Sequence, residues 1–198
     1  MVRVLELRPM RNICLMIALA FCACSRQQPP SSRFSIEGFS GELPSGWEED
    51  KGMETPLWLR GPERQHSKFP TIALDRAVDR QKRAASRAVV EDFLKLDRAT
   101  LGQDPTFSSL PVKDISVDGR PAWEYSISYL NTSQRAIHAL HGGPPPVDVN
   151  VRITNVYFQA NGQAWEAMYS APVSLYDKYR PTFDRFLADL RLPSPETK

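Results

Sequence analysis

The fold of this 198-residue chain is constrained most strongly by two segments in which apolar and polar residues alternate. Each segment consists of two alternating runs separated by a dipeptide that favours a tight turn. The first segment, SSLPVKDISVDGRPAWEYSISYLN, is divided at Asp118-Gly119, and the second, VDVNVRITNVYFQANGQAWEAMYSAP, at Asn161-Gly162. Both dipeptides tolerate the positive φ angles of a type I′ turn, whose twist matches that of the flanking strands. The sequence therefore predicts two β-hairpins that form a meander of about four antiparallel strands.

The alternation also assigns side chains to the faces of the predicted sheet. Two apolar sets should each face a helix: Trp123, Tyr125, Ile127 and Tyr129 in one strand, and Val149, Val151, Ile153 and, after a bulge, Tyr157 in another. Three earlier runs predict further strands: FSIEGFSGELPSGW, which turns at Pro44-Ser45-Gly46, and the shorter PLWLRG and FPTIALDRAV.

Two segments follow the period of an amphipathic helix. The first runs from Ala84 to Leu101, is ended by Gly102 and Asp104-Pro105, and has the apolar stripe Val89, Val90, Phe93, Leu94 and Leu101. The second, VSLYDKYRPTFDRFLADLRL, has the stripe Leu175, Tyr176, Tyr179, Phe183, Phe186, Leu187 and Leu190. Ser174 and Asp177 resemble a capping pair at its start. Pro181 predicts either a kink or a separate helix that begins near it.

The chain resembles the PsbP-like family, known from photosystem extrinsic subunits and bacterial lipoproteins, in FSIEGFSGELPSGW, DGRPAWEYSISY and NGQAWEAMYSAPVSLYDKYRPTFDRFLADL. The resemblance implies an α+β fold in which helices cover both faces of an antiparallel β-sheet, an α/β/α sandwich. It implies little about activity, because members of this fold act as accessory subunits, as partner-binding modules or without an assigned role.

The N-terminal stretch LMIALAFCACSRQQPP has the three-part layout of a secretory signal peptide. Arginines precede an uncharged run from Ile13 to Ala23, small residues close the run, and polar chain follows. As a helix this run would be about 16 Å long against a hydrocarbon thickness of about 30 Å, so it is too short to span a bilayer. Translation starts at Met1 or at Met10.

The end of this run resembles the lipobox of bacterial lipoproteins, in which a small residue precedes a cysteine that is acylated and becomes the N-terminus. Cys24 fits because Ala23 precedes it, whereas the alternative, Cys22, follows the bulky Phe21. All three cysteines lie within the first 24 residues, so the exported part would contain no disulfide. Two other interpretations are an ordinary cleaved signal peptide and a buried N-terminal helix.

These assignments divide the chain into a lipoprotein signal peptide (1–23), a polar tether (24–33), a PsbP-like domain (34–193) and a tail (194–198). Several acyl chains on Cys24 would give stable anchoring because each buried methylene contributes about 0.8 kcal/mol. We therefore expect the protein in the bacterial cell envelope. Ser25 after the cysteine favours the outer membrane, with the domain facing the periplasm.

Charge argues against a nucleic-acid partner. The chain's 25 basic and 23 acidic residues fall to 22 of each once Arg3, Arg8, Arg11 and Glu6 of the signal peptide are set aside. Nucleic-acid binders need a basic excess that displaces counterions from phosphates. The expected partners are the membrane, through the lipid, and a protein.

His138 and His141 lie three residues apart beside a glycine- and proline-rich run, with Asp148 close behind. Two imidazoles and a carboxylate at this spacing are weak candidates for a metal site. An exposed loop whose histidines bind nothing fits the pattern better, so we expect no metal and no cofactor. The remaining histidine, His66, lies in the polar run PERQHSK.

No other motif indicates catalysis. Apart from Cys24 at its N-terminus, the exported chain has no cysteine, and it has no Gly-x-Ser-x-Gly elbow and no glycine-rich phosphate loop. Glu48-Glu49-Asp50 is interpreted as a solvated loop and not as a catalytic carboxylate pair. The four tryptophans, Trp47, Trp58, Trp123 and Trp165, are assigned to core packing in preference to a ligand groove.

The sequence thus favours a membrane-anchored, non-catalytic envelope lipoprotein that binds a protein or a ligand. One alternative is an envelope hydrolase or metal-dependent enzyme that uses His138 and His141. The other is a purely structural component of the envelope.

Overall fold

The computed structural model describes residues 32–77, 83–132 and 147–194. In chain order these residues form the elements β1 (Arg33–Ile36), β2 (Phe39–Glu42), β3 (Glu48–Glu49), β4 (Leu57–Arg60), β5 (Thr71–Arg76), α1 (Arg87–Leu101), β6 (Ser108–Ser109), β7 (Lys113–Val117), β8 (Arg120–Asn131), β9 (Val149–Ala160), β10 (Gln163–Pro172) and α2 (Val173–Asp189). The first strand starts at Arg33, where the predicted tether meets the predicted domain.

Strands β3 to β10 form one antiparallel sheet in the order β3-β4-β5-β10-β9-β8-β6, and β7 also pairs with β8. The predicted meander is confirmed as β7 to β10. Asp118 and Gly119 have φ angles of 48° and 72° in the first turn, and Asn161 and Gly162 have 49° and 70° in the second. These left-handed angles are the ones that Asn-Gly and Asp-Gly accommodate most readily.

The register of β8 against β9 corrects one detail of the sequence analysis. The two strands pair continuously from Ala122 opposite Phe158 to Asn131 opposite Val149. Asn155 lies opposite Tyr125. Its side chain is on the same face of the sheet as those of Ile153 and Tyr157 and lies between them. The bulge expected before Tyr157 is therefore wrong, because a buried polar residue interrupts the apolar series without any shift in register.

The larger core lies between α2 and one face of the sheet. The ring of Phe183 from α2 stacks on Tyr169 with centroids 5.5 Å apart. Buried aromatic rings dominate core energetics because each removes a large apolar area from water. The sheet and α2 contribute these buried residues among others: Val156, Phe158, Trp165, Ala167, Tyr169, Tyr176, Phe183, Phe186 and Leu187.

A second, smaller core lies between α1 and the opposite face. Val90 and Leu94 of α1 pack against Tyr125, Ile127 and Tyr157, as expected for the face predicted to lie under a helix. Successive side chains of a strand point to opposite faces, so neighbours such as Tyr157 and Phe158 belong to different cores. The predicted α/β/α sandwich is therefore confirmed.

The two helices begin differently. Ser86 caps α1, since its Oγ accepts a hydrogen bond from the Val89 N–H at 3.4 Å. Strand β10 runs directly into α2 at Pro172, so the helix begins before Ser174 is reached. The hydroxyl of Ser174 hydrogen-bonds to the Gln65 side chain instead. The predicted capping pair at the start of α2 is therefore wrong.

Helix α2 continues through Pro181, which contradicts the alternative of two separate helices. Pro181 is exposed, so its ring faces solvent, while the predicted apolar stripe on the other side is buried except for the partly buried Tyr179. Packing of that stripe compensates for the backbone donor that proline lacks. Among the residues that the structure describes, neither helix has the length and apolarity of a membrane-spanning segment.

The N-terminal run forms a hairpin instead of the expected single strand. Strands β1 and β2 are joined at Glu37 and Gly38, whose φ angles are 51° and 84°. Ser40 of β2 exchanges two backbone hydrogen bonds with Arg191, at 3.1 and 2.8 Å, just after α2. The hairpin therefore fastens the start of the domain to its C-terminal end.

Candidate binding site

A groove of about 420 Å³ lies over β4, β5, β10 and the start of β9, beside α1. Met168 lies opposite Asn155, which lies opposite Tyr125, so the groove and α1 share one face of the sheet. We call it the open-face groove. Its apolar floor is formed by Val151, Ile153 and Met168. Its aromatic wall is formed by Trp58 and Phe69. Its charged rim is formed by Asp50, Arg60 and Lys68.

The alternation of β4 explains why an indole and a guanidinium meet in this groove. Leu57 and Leu59 are 1% and 0% exposed because they point into the α2 core. Trp58 and Arg60 must then point to the other face. In β10, Tyr169 is directed into the α2 core in the same way, which places Met168 in the groove.

The rim is organised around Arg60. Its Nη2 donates to Asp50 Oδ2 at 3.0 Å, and the other carboxylate oxygen of Asp50 accepts from the Gly52 N–H at 3.2 Å. The guanidinium carbon lies 5.2 Å from the centroid of the Phe69 ring, and that of Arg64 lies 5.9 Å from the same ring. The Nε of Arg60 is buried and has no acceptor within the described part of the chain. A buried donor without an acceptor is unfavourable by about 1–3 kcal/mol, so Arg60 retains unused hydrogen-bonding capacity.

The expected solvated loop Glu48-Glu49-Asp50 differs from this structure. Glu48 and Glu49 are exposed but form strand β3, whereas Asp50 is half-buried and ion-paired in the rim. The ion pair of Asp50 could not be predicted from the neighbouring residues, because its partner, Arg60, lies on the next strand.

A second cavity, of about 600 Å³, lies beside α2 around Arg180. The guanidinium donates to Glu124 at 2.7 Å, to Asp184 at 2.8 Å, and to the hydroxyls of Thr154 and Tyr176 at 3.0 and 3.1 Å. Burial opposes the charged form, but the hydrogen bonds to Asp184, Tyr176 and Glu124 prevail and raise the pKa of Arg180. Each guanidinium nitrogen thus has an acceptor within the protein, and Arg180 cross-links α2 to the sheet.

Carboxyl and phenol groups form a chain beneath α1. The hydroxyl of Tyr125 donates to Asp97 at 2.8 Å, that of Tyr157 donates to Glu166 at 2.8 Å, and the two rings stack 6.1 Å apart. Burial raises the pKa of Glu166 to about 7; the hydrogen bond from Tyr157 opposes this, and the negative charges of Asp75 and Asp97 add to it. Burial likewise raises the pKa of Asp97. Glu166 can therefore gain or lose a proton near neutral pH.

Most of the residues predicted to carry chemistry are not among those that the structure describes. Cys22, Cys24, His138 and His141 are outside the described residues, while Asp148 is half-buried immediately before β9. Residues 32–77, 83–132 and 147–194 contain no group of three or more side chains placed to hold a metal ion. The lipid attachment at Cys24 and the role of the histidine pair stay predictions.

The tryptophans divide between the two roles weighed from the sequence. Trp47 and Trp165 are buried in the α2 core, and Trp123 packs against the α1 core, as predicted. Trp58 lines the open-face groove, so its assignment to core packing is wrong. The alternation in PLWLRG already places Trp58 and Arg60 on the face of the strand opposite the two leucines. This pattern could have indicated a surface that combines an aromatic and a charged side chain.

Comparison with known proteins gives matches at the level of structure. No family model matches the sequence, and no curated protein matches it. The structure of LpqN from Mycobacterium tuberculosis, described as involved in cell envelope biogenesis, matches with a TM-score of 0.50 and 14% identity, over 85% of this chain and 88% of LpqN. The chain shares the LpqN fold.

Two other solved structures are similar. PA94 from Pseudomonas aeruginosa, a protein of unknown function described as a putative regulator, has a TM-score of 0.50 and 12% identity, over 83% of this chain and 98% of PA94. The cyanobacterial PsbP protein CyanoP from Synechocystis sp. PCC 6803 has a TM-score of 0.49 and 14% identity, over 86% of this chain and 97% of CyanoP. At such low identity, the matches to LpqN and PA94 establish a common fold and nothing finer.

Proposed function

We propose that this chain is a lipid-anchored, non-catalytic binding domain of the bacterial cell envelope, and that the open-face groove holds its ligand or partner protein. The groove is the observation that carries the proposal. Its volume of about 420 Å³ falls within the range of about 300–1,000 Å³ typical of ligand sites. Like such sites, it combines an apolar floor and aromatic side chains with a small number of polar groups.

The envelope location is supported by the N-terminal sequence and by one structural relative. The uncharged run that precedes Cys24 has the layout of a signal peptide, and the polar residues after Cys24 lead to β1 at Arg33. LpqN, which has the same fold, is described as involved in cell envelope biogenesis. A protein exported and acylated at Cys24 would present the folded domain at a membrane surface.

A non-catalytic role is supported by the surroundings of the groove. Its charged rim consists of Asp50, Arg60 and Lys68, and Asp50 is committed to an ion pair with Arg60. Within the described residues, the histidine available as a general base is His66, which is exposed in the loop between β4 and β5 and does not line the groove. The rim is therefore suited to holding a charged group and not to transferring a proton.

Mass spectrometry of the N-terminal peptide tests the anchor. The protein is expressed with its own N-terminus in a bacterial host, and Cys24→Ser is compared with the matched variant Cys22→Ser. We expect an acylated N-terminal Cys24 in the wild type and in Cys22→Ser, and no acylated product from Cys24→Ser. An unmodified chain that starts at Met1 or Met10 would contradict the anchor.

Site-specific photo-cross-linking in intact cells tests the groove. A photo-reactive amino acid replaces Trp58 in one variant and Arg185, which is exposed on α2, in the control. We expect a discrete cross-linked envelope component at position 58 and none of that component at position 185. Equal cross-linking at the two positions would show that the groove is not the binding site.

A further inference from the structure

The open-face groove is divided into a polar and an apolar strip by the register of its strands. Arg60 lies opposite Thr71, and Thr71 lies opposite Ser170, which gives one row of polar side chains across β4, β5 and β10. The neighbouring row on the same face consists of Trp58, Ala73 and Met168. Successive rows on one face are separated by two residues along the strand, or about 7 Å.

The polar strip borders the charged rim of the groove, and Arg60 belongs to both. Arg60 and Lys68 are the cations of the lining and Asp50 is its anion. The ion pair with Asp50 uses Nη2 of Arg60, while the buried Nε of the same guanidinium has no acceptor among the residues that the structure describes. A guanidinium presents its donors as a fork that matches two oxygens of a carboxylate or a phosphate. The chemistry best suited to Arg60 is therefore an anionic group with at least two oxygens.

The apolar strip continues from Trp58 and Met168 over the floor formed by Ile153 and Val151. Trp58, Met168 and Ile153 are each partly exposed, so their apolar surface is accessible from the groove. Covering that surface would remove apolar area from water at about 25 cal/mol per Å². The strip is therefore suited to an apolar chain that extends from the anionic group.

We propose that the open-face groove binds an amphipathic anion, with a carboxylate or phosphate head at Arg60 and a single apolar chain over Trp58 and Met168. This inference rests on the proposed binding function and specifies its ligand class. Asp50 competes with the ligand head for the guanidinium in this arrangement, because it already accepts from Nη2. The competition makes opposite predictions for two rim variants.

Titration by NMR tests the inference with four probes that share one chain: octanoate, octyl phosphate, octylammonium and octanol, each below its micelle concentration. The protein is the full-length chain with Cys24→Ser, and the observed signals are the Trp58 indole N–H and the Met168 methyl group. We expect octanoate or octyl phosphate to bind at least about tenfold more tightly than the cation and the alcohol, because hydrogen bonds to charged groups are stronger than neutral ones. The tighter of the two anions identifies the head.

Substitutions at Arg60 and at Asp50 should change the affinity for the anion in opposite directions. Arg60→Gln should weaken anion binding by about ten- to hundredfold and leave octanol binding unchanged, and Arg60→Lys, which keeps the charge but not the fork, should fall between it and the wild type. Asp50→Asn should strengthen anion binding several-fold, since its amide oxygen can still accept from Gly52 while the competing charge is gone. Arg185→Gln is the control for loss of a positive charge elsewhere.

Three results would overturn the inference. Octanol binding as tightly as the anions would mean that the groove takes neutral apolar ligands, which leaves the proposed binding function intact. Anion affinity unchanged by both Arg60 substitutions would place the head elsewhere. Absence of any shift at Trp58 and Met168 with either anion would reject the ligand class, while the cross-linking at position 58 decides separately whether the groove binds a partner at all.

Discussion

Replacing Glu166 by Gln should remove a dependence of folding stability on pH that the native chain shows near neutrality. Glu166 is half-buried, accepts a hydrogen bond from Tyr157 at 2.8 Å and lies opposite Asp75 in the pairing of β10 with β5. Burial first, and the nearby negative charges second, raise the pKa of its carboxyl from 4.5 to about 7. The folded protein therefore favours the protonated carboxyl.

The sign and size of the effect follow from this difference. One pKa unit corresponds to 1.36 kcal/mol, so a pKa that is about 2.5 higher in the folded state corresponds to about 3 kcal/mol. The stabilisation is fully present below pH 4.5 and is lost as the pH rises through about 7. Between pH 5 and pH 8 the contribution of Glu166 to the free energy of unfolding should fall by about 2–3 kcal/mol.

Urea denaturation at pH 5, 6, 7 and 8, followed by tryptophan fluorescence, measures this contribution. Gln at position 166 still offers an oxygen to the Tyr157 hydroxyl but cannot ionise. Its stability relative to the wild type should rise by about 2–3 kcal/mol from pH 5 to pH 8. Glu54→Gln, at an exposed position, is the matched control and should run parallel to the wild type. Parallel curves for the wild type and Glu166→Gln would refute the argument that burial holds this carboxyl protonated.

Three further stability measurements test the fold. Ser86→Ala should lower the free energy of unfolding by about 1 kcal/mol because it removes the cap of α1, whereas Ser174→Ala should cost less because Ser174 does not cap α2; an equal cost would contradict that assignment. Phe183→Ala should cost about 3–5 kcal/mol in urea denaturation, since a fully buried ring is lost from the α2 core, and a cost below 1 kcal/mol would contradict that placement. Gly162→Ala should cost about 1 kcal/mol because φ is +70° there, although the site has room for a Cβ; a neutral effect would argue against the type I′ turn.

The parts of the fold that follow from local chemistry were predictable from the sequence. The Asp118-Gly119 and Asn161-Gly162 turns were predictable because those residue pairs fit a type I′ turn wherever they flank alternating runs. The helical stripes were predictable because periodicity is a property of neighbouring residues. The bulge before Tyr157 was predicted wrongly because the burial of the polar Asn155 depends on the strand that pairs with it.

The candidate site was less predictable because its parts come from separate segments. Thr71 becomes the neighbour of Arg60 through the pairing of β4 with β5, but Ser170 joins this row only because β10 lies between β5 and β9. The sequence contains no signal for that strand order. Alternation in β4 shows that Trp58 and Arg60 share a face. It does not show that this face is left open beside α1, since coverage by a helix is decided by tertiary packing.

The hydrogen bonds between Ser40 and Arg191 bring the two ends of the domain close together. The elements could therefore be connected in a different order along the chain without a change in their packing. A circular permutant that joins these ends by a short linker and opens the chain at Asn161-Gly162 should retain both cores. In such a molecule the proposed lipid anchor would be attached at a different end of the sandwich. The orientation of the groove relative to that proposed anchor could then be varied without any change to the groove itself.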